Sequence, residues 1–285
     1  MALQLPNIEE NIEPHTLYIV ATPIGNLADI TLRALYILEN VDLIACEDTR
    51  RTAPLLRFFG IDKPLISFHS HSGENRFLEI KNQLEIGTVA LVSDAGTPCI
   101  SDPGAELAAY LLESGLSIRP IPGPSAAITA LSASGLDTRE FTFRGFLGKK
   151  GLKNKVSQLM QLRETQIVYE APQRLVELLR LIADVDPERP ITVSRELTKL
   201  YEEFYRGSAR DAVSYFEQKG VKGEITLIIS GNTKNIIYSD EDVLELLKES
   251  LAKGKSLSEA SKEIASITGL TKKIVYNLGL SMDED

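Results

Sequence analysis

The chain has 285 residues, 43% of them apolar and 25% charged, close to ordinary globular usage and long enough for two domains and a small appendage. A formal net charge of −9 argues against indiscriminate nucleic-acid binding, which needs clustered Lys and Arg. No apolar run reaches the ~18 residues of a membrane span, and the acidic stretch Met1 to Glu13 lacks the basic start of a signal peptide, so a cytoplasmic protein without a membrane partner is expected.

Strands alternate with helices from the first apolar run onward. Leu17–Ala21 reads as strand, Thr31–Leu38 as helix, Val41–Ala45 as strand, and Arg76–Leu84 as helix. Val89–Val92 is a strand, Ala105–Leu112 a helix and Ser117–Ile121 a strand; this alternation predicts a largely parallel sheet with helices on its faces. After Pro122-Gly-Pro124, Ser125 can cap a helix that runs through Leu131 and ends by Gly135. A second series follows: strands Phe141–Arg144, Ile167–Tyr169, Ile191–Ser194 and Ile225–Ile229, with helices Leu152–Leu162, Leu175–Ile182 and Asp211–Gln218. From Asn232 the pattern is helical: Glu241–Leu251, Ser258–Ile267, a turn at Thr268-Gly-Leu270, and Thr271–Leu280. Two short helices about a Gly-containing turn suit a helix-turn-helix or a simple helical cap. The expected fold is therefore two α/β domains, 1–125 and 126–234, with a cleft between them, and a helical extension, 235–285.

The segment Leu91 to Gly104 carries the most information. A buried-strand run drops into Ser, Asp, Gly, Thr and Pro, placing Asp94 at the carboxyl end of a strand, where open α/β sheets bind ligands. Gly96, Gly104, Pro98 and Pro103 shape the loop and let a ligand approach the backbone. Basic residues cluster in two places. Lys149, Lys150, Lys153 and Lys155 follow the apolar stretch Phe141 to Leu147, and Arg50 and Arg51 follow Glu47-Asp48-Thr49 at another strand end. An acidic chain with basic patches suits an enzyme that binds one structured RNA.

Familiar signatures are missing. Ala21-Thr-Pro-Ile-Gly-Asn26 stands where a G-x-G-x-x-G would follow the first strand, and no Walker A, G-x-S-x-G or H-E-x-x-H occurs. His69 and His71 form H-x-H, short of the ligands zinc requires, so no metal is expected. Cys46 and Cys99 lack metal or redox spacing and read as free thiols of a reducing compartment. Ser125 has no evident His–Asp partners, which leaves the positioning of a reactive cofactor as the source of chemistry.

Six motifs occur in order: Thr22-Pro-Ile-Gly-Asn-Leu-Ala-Asp-Ile-Thr31, Glu47-Asp-Thr-Arg50, Ser93-Asp-Ala-Gly-Thr-Pro98, Ser101-Asp-Pro-Gly104, Pro122-Gly-Pro-Ser125 and Tyr169-Glu-Ala-Pro172. Together they resemble the ribosomal RNA small subunit methyltransferase I family of the tetrapyrrole (class III) methylase superfamily. The likeness spans roughly residues 15–231, with a C-terminal helical segment similar to that family's extension.

The resemblance implies methyl transfer from S-adenosylmethionine to the ribose 2′-hydroxyl of a cytidine in the decoding centre of 16S rRNA. It also implies a two-domain fold that holds the cofactor in its cleft, usually as a homodimer. By position, it implies that Pro23, Asp94, Thr97, Ser125, Ala126, Tyr169, Glu170 and Thr226 line the cofactor site. Arg50, Arg51, Lys149, Lys150 and Lys155 would meet phosphates of the 16S rRNA within the small ribosomal subunit. No general base is identified; Glu47, Asp48 and Asp102 are candidates by strand-end position alone, and capping or pairing with Arg50 is their more ordinary role. Two departures from the family pattern stand out. Gly148 replaces a common Pro before the basic stretch, expected to loosen it, and Gln173 replaces a common His, which removes a catalytic histidine there. Alternatives are a class III methylase acting on a tetrapyrrole or a protein side chain, a non-catalytic ribosome assembly factor, and a nucleotide-binding regulator, the last disfavoured by the missing phosphate loops.

Overall fold

Every strand of the first sheet runs the same way, so every loop that leaves a carboxyl end emerges along one edge. The computed structural model describes residues 12–69, 72–232 and 238–283. Its first sheet contains β1 (Thr16–Val20), β2 (Leu43–Cys46), β3 (Leu65–Ser67), β4 (Val89–Val92) and β5 (Ser117–Ile121) in the order β3-β2-β4-β1-β5, all parallel. The short apolar runs of β2 and β4 are buried at every position, as expected for strands covered on both faces. Alternation divides β1 between two cores. Leu17 joins Val89 and Leu91 beneath α3 (Glu74–Leu84) and α4 (Ala105–Glu113), whereas Tyr18 and Val20 join Ala90 beneath α1 (Leu32–Asn40).

The second sheet departs from the parallel expectation. It orders β6 (Phe141–Phe146), β7 (Thr165–Glu170), β8 (Pro190–Arg195), β9 (Glu203–Ser208) and β10 (Ile225–Ile229) as β6-β7-β10-β8-β9. Only β6 and β7 pair in parallel; the other three pairings are antiparallel. Central β10 is buried throughout. Helix α5 (Ala126–Ser132) packs Ala127, Ala130 and Leu131 against Ile167 and Ile228 on one face. Helices α6 (Leu152–Leu159), α7 (Leu175–Val185) and α8 (Ala209–Lys219) cover the other. In α7 the spacing of Leu175, Leu178, Leu179 and Ile182 puts four fully buried side chains on one stripe, each worth roughly 1.5–3 kcal/mol of burial.

Three elements escape the periodicity reading. Helix α2 (Thr49–Phe58) carries Pro54 in its interior, a residue that ordinarily breaks helices; Asp48 caps it and Thr52 and Leu56 bury its inner face. Strand β3 is only three residues long, and edge strand β9 is polar and glycine-containing.

Both sheets belong to a compact unit that runs to Asn232, and Thr233–Asp285 form another. Ser125 stands between β5 and α5, while the expected boundary between 234 and 235 lies outside the described residues, as does His71. The C-terminal unit consists of α9 (Asp240–Ala252), α10 (Leu257–Thr268) and α11 (Lys272–Leu280), with capping boxes at Ser239/Asp242 and Ser256/Glu259. Val243, Leu247, Ala260, Ile264 and Val275 form its core, and Gly269 at φ 74° turns α10 into α11. Among the described residues, no helix is long and apolar enough to cross a membrane, and no group of three His, Cys, Asp or Glu is placed to hold a metal ion. Cys46 and Cys99 are both free thiols.

Candidate active site

Hydrogen bonds clamp three loops of the first sheet into one surface. Thr22, just past β1, exchanges main-chain hydrogen bonds with Gly96 at 2.9 and 3.0 Å, where Gly96 sits at φ 80°. The Thr22 hydroxyl donates to the Ser93 carbonyl (3.3 Å), and the Thr97 hydroxyl donates to the Pro124 carbonyl (3.1 Å). Farther along the same loop, Cys99 and Ser101 hold left-handed backbones at φ 70° and 63°. The loop after β8 holds Glu196 and Thr198 likewise, at 52° and 65°. Such conformations cost of order 1–3 kcal/mol each and cluster at functional sites.

Between these loops and the ends of β7 and β10 lies a cavity of about 440 Å³. It is lined by seven of the eight residues expected to hold a cofactor: Asp94, Thr97, Ser125, Ala126, Tyr169, Glu170 and Thr226. Pro23 instead lines an adjoining cavity of about 380 Å³, together with Arg51 and Asp94. Ile24 and Leu197, both buried and in one apolar cluster, also line the large cavity.

The two arginines part company. Arg51 lines the large cavity and pairs with Asp94 at 3.2 Å. Arg50 does not line the cavity; its Nε and Nη2 donate to the two Asp48 oxygens at 3.0 and 2.8 Å. The Arg50 side-chain hydrogen bonds first, and then the Arg50 main-chain N–H that Asp48 accepts in capping α2, hold the Asp48 carboxyl down at about 2. Lys149, Lys150 and Lys155 lie outside the cavity. Lys155 donates to the Leu147 carbonyl (2.6 Å) and Arg174 to the Gly148 carbonyl (3.1 Å); the start of the basic stretch is therefore tied down rather than loosened by Gly148.

The expectation that the Ser125 side chain caps α5 is also corrected. It makes no capping bond; the Tyr169 hydroxyl accepts the Ala127 N–H at 3.1 Å instead. Burial pushes the Tyr169 phenol above its ordinary range. Glu170, 2% exposed, accepts the Ala171 N–H at 2.8 Å with one oxygen. Its other oxygen faces Arg174 at 3.3 Å without a hydrogen bond.

Carboxylates dominate the first-sheet wall. One oxygen of Asp94 meets Arg51, while Oδ1 is buried with no partner. Glu47 is pushed up by burial and then by the charge of Asp94, against which the Asp94 N–H donates to it. Asp102 is pushed up to about 6, by burial first and the Glu47 charge second. Glu47 and Asp102 line the cavity together, a meeting the residue types alone could not announce, because it depends on β2 lying beside β4.

The geometry has close relatives. A model of the Tetrapyrrole (Corrin/Porphyrin) Methylases family matches residues 16–213. The chain is 46% identical over 275 residues to a Synechocystis protein named Ribosomal RNA small subunit methyltransferase I, covering 94% of this chain and 99% of that one. The Bacillus subtilis protein of the same name is 42% identical over 92% of each chain. The Thermotoga maritima one is 45% identical, with 98% of its length matching 75% of this chain. Among solved structures, cobalt precorrin-4 methyltransferase superposes with a TM-score of 0.58 at 15% identity, covering 76% of this chain and 95% of its own. A diphthine synthase reaches 0.59 at 14%, covering 75% and 90%.

Proposed function

Since the chain belongs to the tetrapyrrole methylase family, in its ribosomal RNA small subunit methyltransferase I branch, we propose that it is an S-adenosylmethionine-dependent enzyme that methylates a cytidine ribose 2′-hydroxyl of 16S rRNA. The observation that carries the cofactor half of this reading is the buried, unpartnered Oδ1 of Asp94 in a cavity of about 440 Å³. A cavity of that size suits a cofactor-sized molecule, and a buried carboxylate oxygen without a donor calls for a ligand N–H or O–H. The residues fit the group. Asp94 and Thr97 would hold its polar end, and Tyr169, Ala126, Ile24 and Leu197 would offer apolar surface.

When bound, S-adenosylmethionine supplies an electrophilic methyl group on a positively charged sulfur. The protein's part is positional. The hydrogen-bonded loops fix the first-sheet wall, and the strand ends of the second sheet form the wall opposite, so that a bound cofactor would be held between them. Alignment of two reactants in this way is worth up to ~7–11 kcal/mol in favourable cases.

The RNA half rests on the relatives' name and on the basic residues outside the cavity. Lys149, Lys150, Lys155 and Arg50 would engage phosphates and set register, leaving the base to be read elsewhere. The substrate is taken to be rRNA within the small subunit, the enzyme a homodimer, and the compartment the cytoplasm.

Incubation with isolated small subunits and radiolabelled S-adenosylmethionine tests the whole reading. Label confined to one alkali-resistant ribose linkage of 16S rRNA is the expected result. Label on a tetrapyrrole or a protein instead would reject the RNA assignment, and no cofactor binding by calorimetry would reject the enzyme.

A further inference from the structure

A second cavity, of about 400 Å³, adjoins the first. The two share one wall, made of Glu47, Ser101 and Asp102. The rest of the second cavity's lining mixes Phe68 and Phe77, whose ring centroids stand 5.9 Å apart, with Pro103, His69, Ser72 and Glu106. A methyl donor held in the first cavity can meet an acceptor across a shared wall, and this wall carries two carboxylates and a hydroxyl. The partly exposed Phe77 ring at one part of this cavity, with carboxylates and hydroxyls at the shared wall, suits a nucleoside turned out of its strand, its base against the ring and its ribose toward the polar residues.

We propose that the second cavity receives the acceptor nucleoside and that Asp102, in the wall between the two cavities, is the catalytic residue that takes the proton from its ribose hydroxyl. This rests on the methyl-transfer reading above. In the step, the ribose oxygen forms a bond to the methyl carbon while the carbon–sulfur bond breaks, its electron pair staying on sulfur. The hydroxyl proton passes to a carboxylate oxygen of Asp102 and from there to water.

Asp102 suits the task better than its neighbours. Asp94 is engaged by Arg51, and Glu47 accepts the Asp94 N–H. The charged and titratable groups around Asp102 are Glu47 from the end of β2, Asp94 from the end of β4, Cys99 from its own loop and Tyr169 from β7, with Arg51 lining the first cavity and His69 and Glu106 the second. Glu47 and Asp94 raise its proton affinity, and the Ser93 hydroxyl alone opposes them. A carboxylate matched in this way to near-neutral pH is ionised at working pH yet basic enough to accept a proton, a contribution of ~10²–10⁴-fold.

The test is single-turnover methyl transfer to small subunits between pH 5 and 9. The unchanged protein should gain rate as pH rises through about 6 and then level off. Asp102→Asn should lose ~10²-fold or more in rate, and with it the acid limb. Its cofactor affinity, measured by calorimetry, should stay within about twofold, and Asp102→Glu should recover part of the rate. Ala105→Phe, at the exposed first residue of α4, should fill the second cavity and raise KM for subunits while leaving cofactor affinity alone. Asp102→Asn with a near-normal rate, or with the acid limb intact, would overturn the assignment of Asp102 while the methyl-transfer reading survived. No label with the unchanged, cofactor-binding protein would overturn that reading and this inference with it.

Discussion

The hydroxyl of Tyr169, at the end of β7, accepts the main-chain N–H of Ala127, 3.1 Å away, and so caps a helix 42 residues earlier in the chain. The tyrosine ring is held by Phe143 and Phe146, both edge-on, with centroids 4.9 and 5.7 Å from its own. One side chain thereby sets the start of α5 and part of the cavity wall at once.

Removing only that hydroxyl isolates its role. Tyr169→Phe leaves the ring packing and strips the cap, so a loss of about 1 kcal/mol in urea unfolding is expected. S-adenosylmethionine affinity should weaken several-fold in calorimetry, since Ser125 and Ala126 would lose their fixed position. Unchanged stability would mean that water replaces the hydroxyl at no cost.

Asp94 should matter for binding far more than for stability. Its ion pair with Arg51 is largely solvent-facing on the arginine side, which is 67% exposed, and pairs of that kind contribute little. Its buried Oδ1 has no protein donor to lose. Asp94→Asn should therefore weaken cofactor binding by roughly ten- to a hundredfold, the worth of a hydrogen bond to a charged group, with an unfolding midpoint close to that of the unchanged protein. Cofactor titration of the variant at normal affinity would remove Asp94 from the site.

Asp102 makes stability depend on pH in the direction opposite to a paired carboxylate. Its proton is held more tightly in the folded chain, at about 6 against an ordinary 3.8. The folded state consequently binds more protons between those values, and this group's contribution to stability, full below about 4, is lost as pH rises through about 6. Asp102→Asn removes the buried charge. The variant's unfolding midpoint should exceed that of the unchanged protein at pH 7.5, and the gap should shrink at pH 4.5. A gap independent of pH would show that the ionised carboxylate is not the cause.

Gly145 marks one place where the two α/β halves of the first unit meet closely. It sits at φ 58° in the irregular part of β6, and a Cβ there would come within 2.5 Å of Ser101 Oγ. Gly145→Ala should cost about 1–2 kcal/mol for the left-handed backbone alone. It should also displace Ser101, so that cofactor affinity and stability fall together in calorimetry and urea unfolding. A loss of stability with intact binding would mean that the Ser101 loop adapts independently of the cavity.

Much of this protein was determined by local pattern. The apolar runs at β2, β4 and β10 and the helical stripe of α7 are short-range signals, because burial on both faces or on one stripe dictates residue type position by position. The loops with Asp94 and Thr97 and the Tyr169-Glu170 pair were likewise legible as motifs. What only the tertiary structure decided is which of these segments are neighbours. The all-parallel order of the first sheet sets Glu47 beside Asp102, and the mostly antiparallel second sheet brings Thr226 against Tyr169 in register. Helix α2 keeps Pro54 within it, with Asp48 capping its start and Thr52 and Leu56 buried in the fold. Likewise it is Arg51 that pairs with Asp94, while Arg50 pairs with Asp48. Strand order, long-range caps and charge pairing arise from burial and electrostatics summed over segments distant in the chain, and no window of adjacent residues contains that sum.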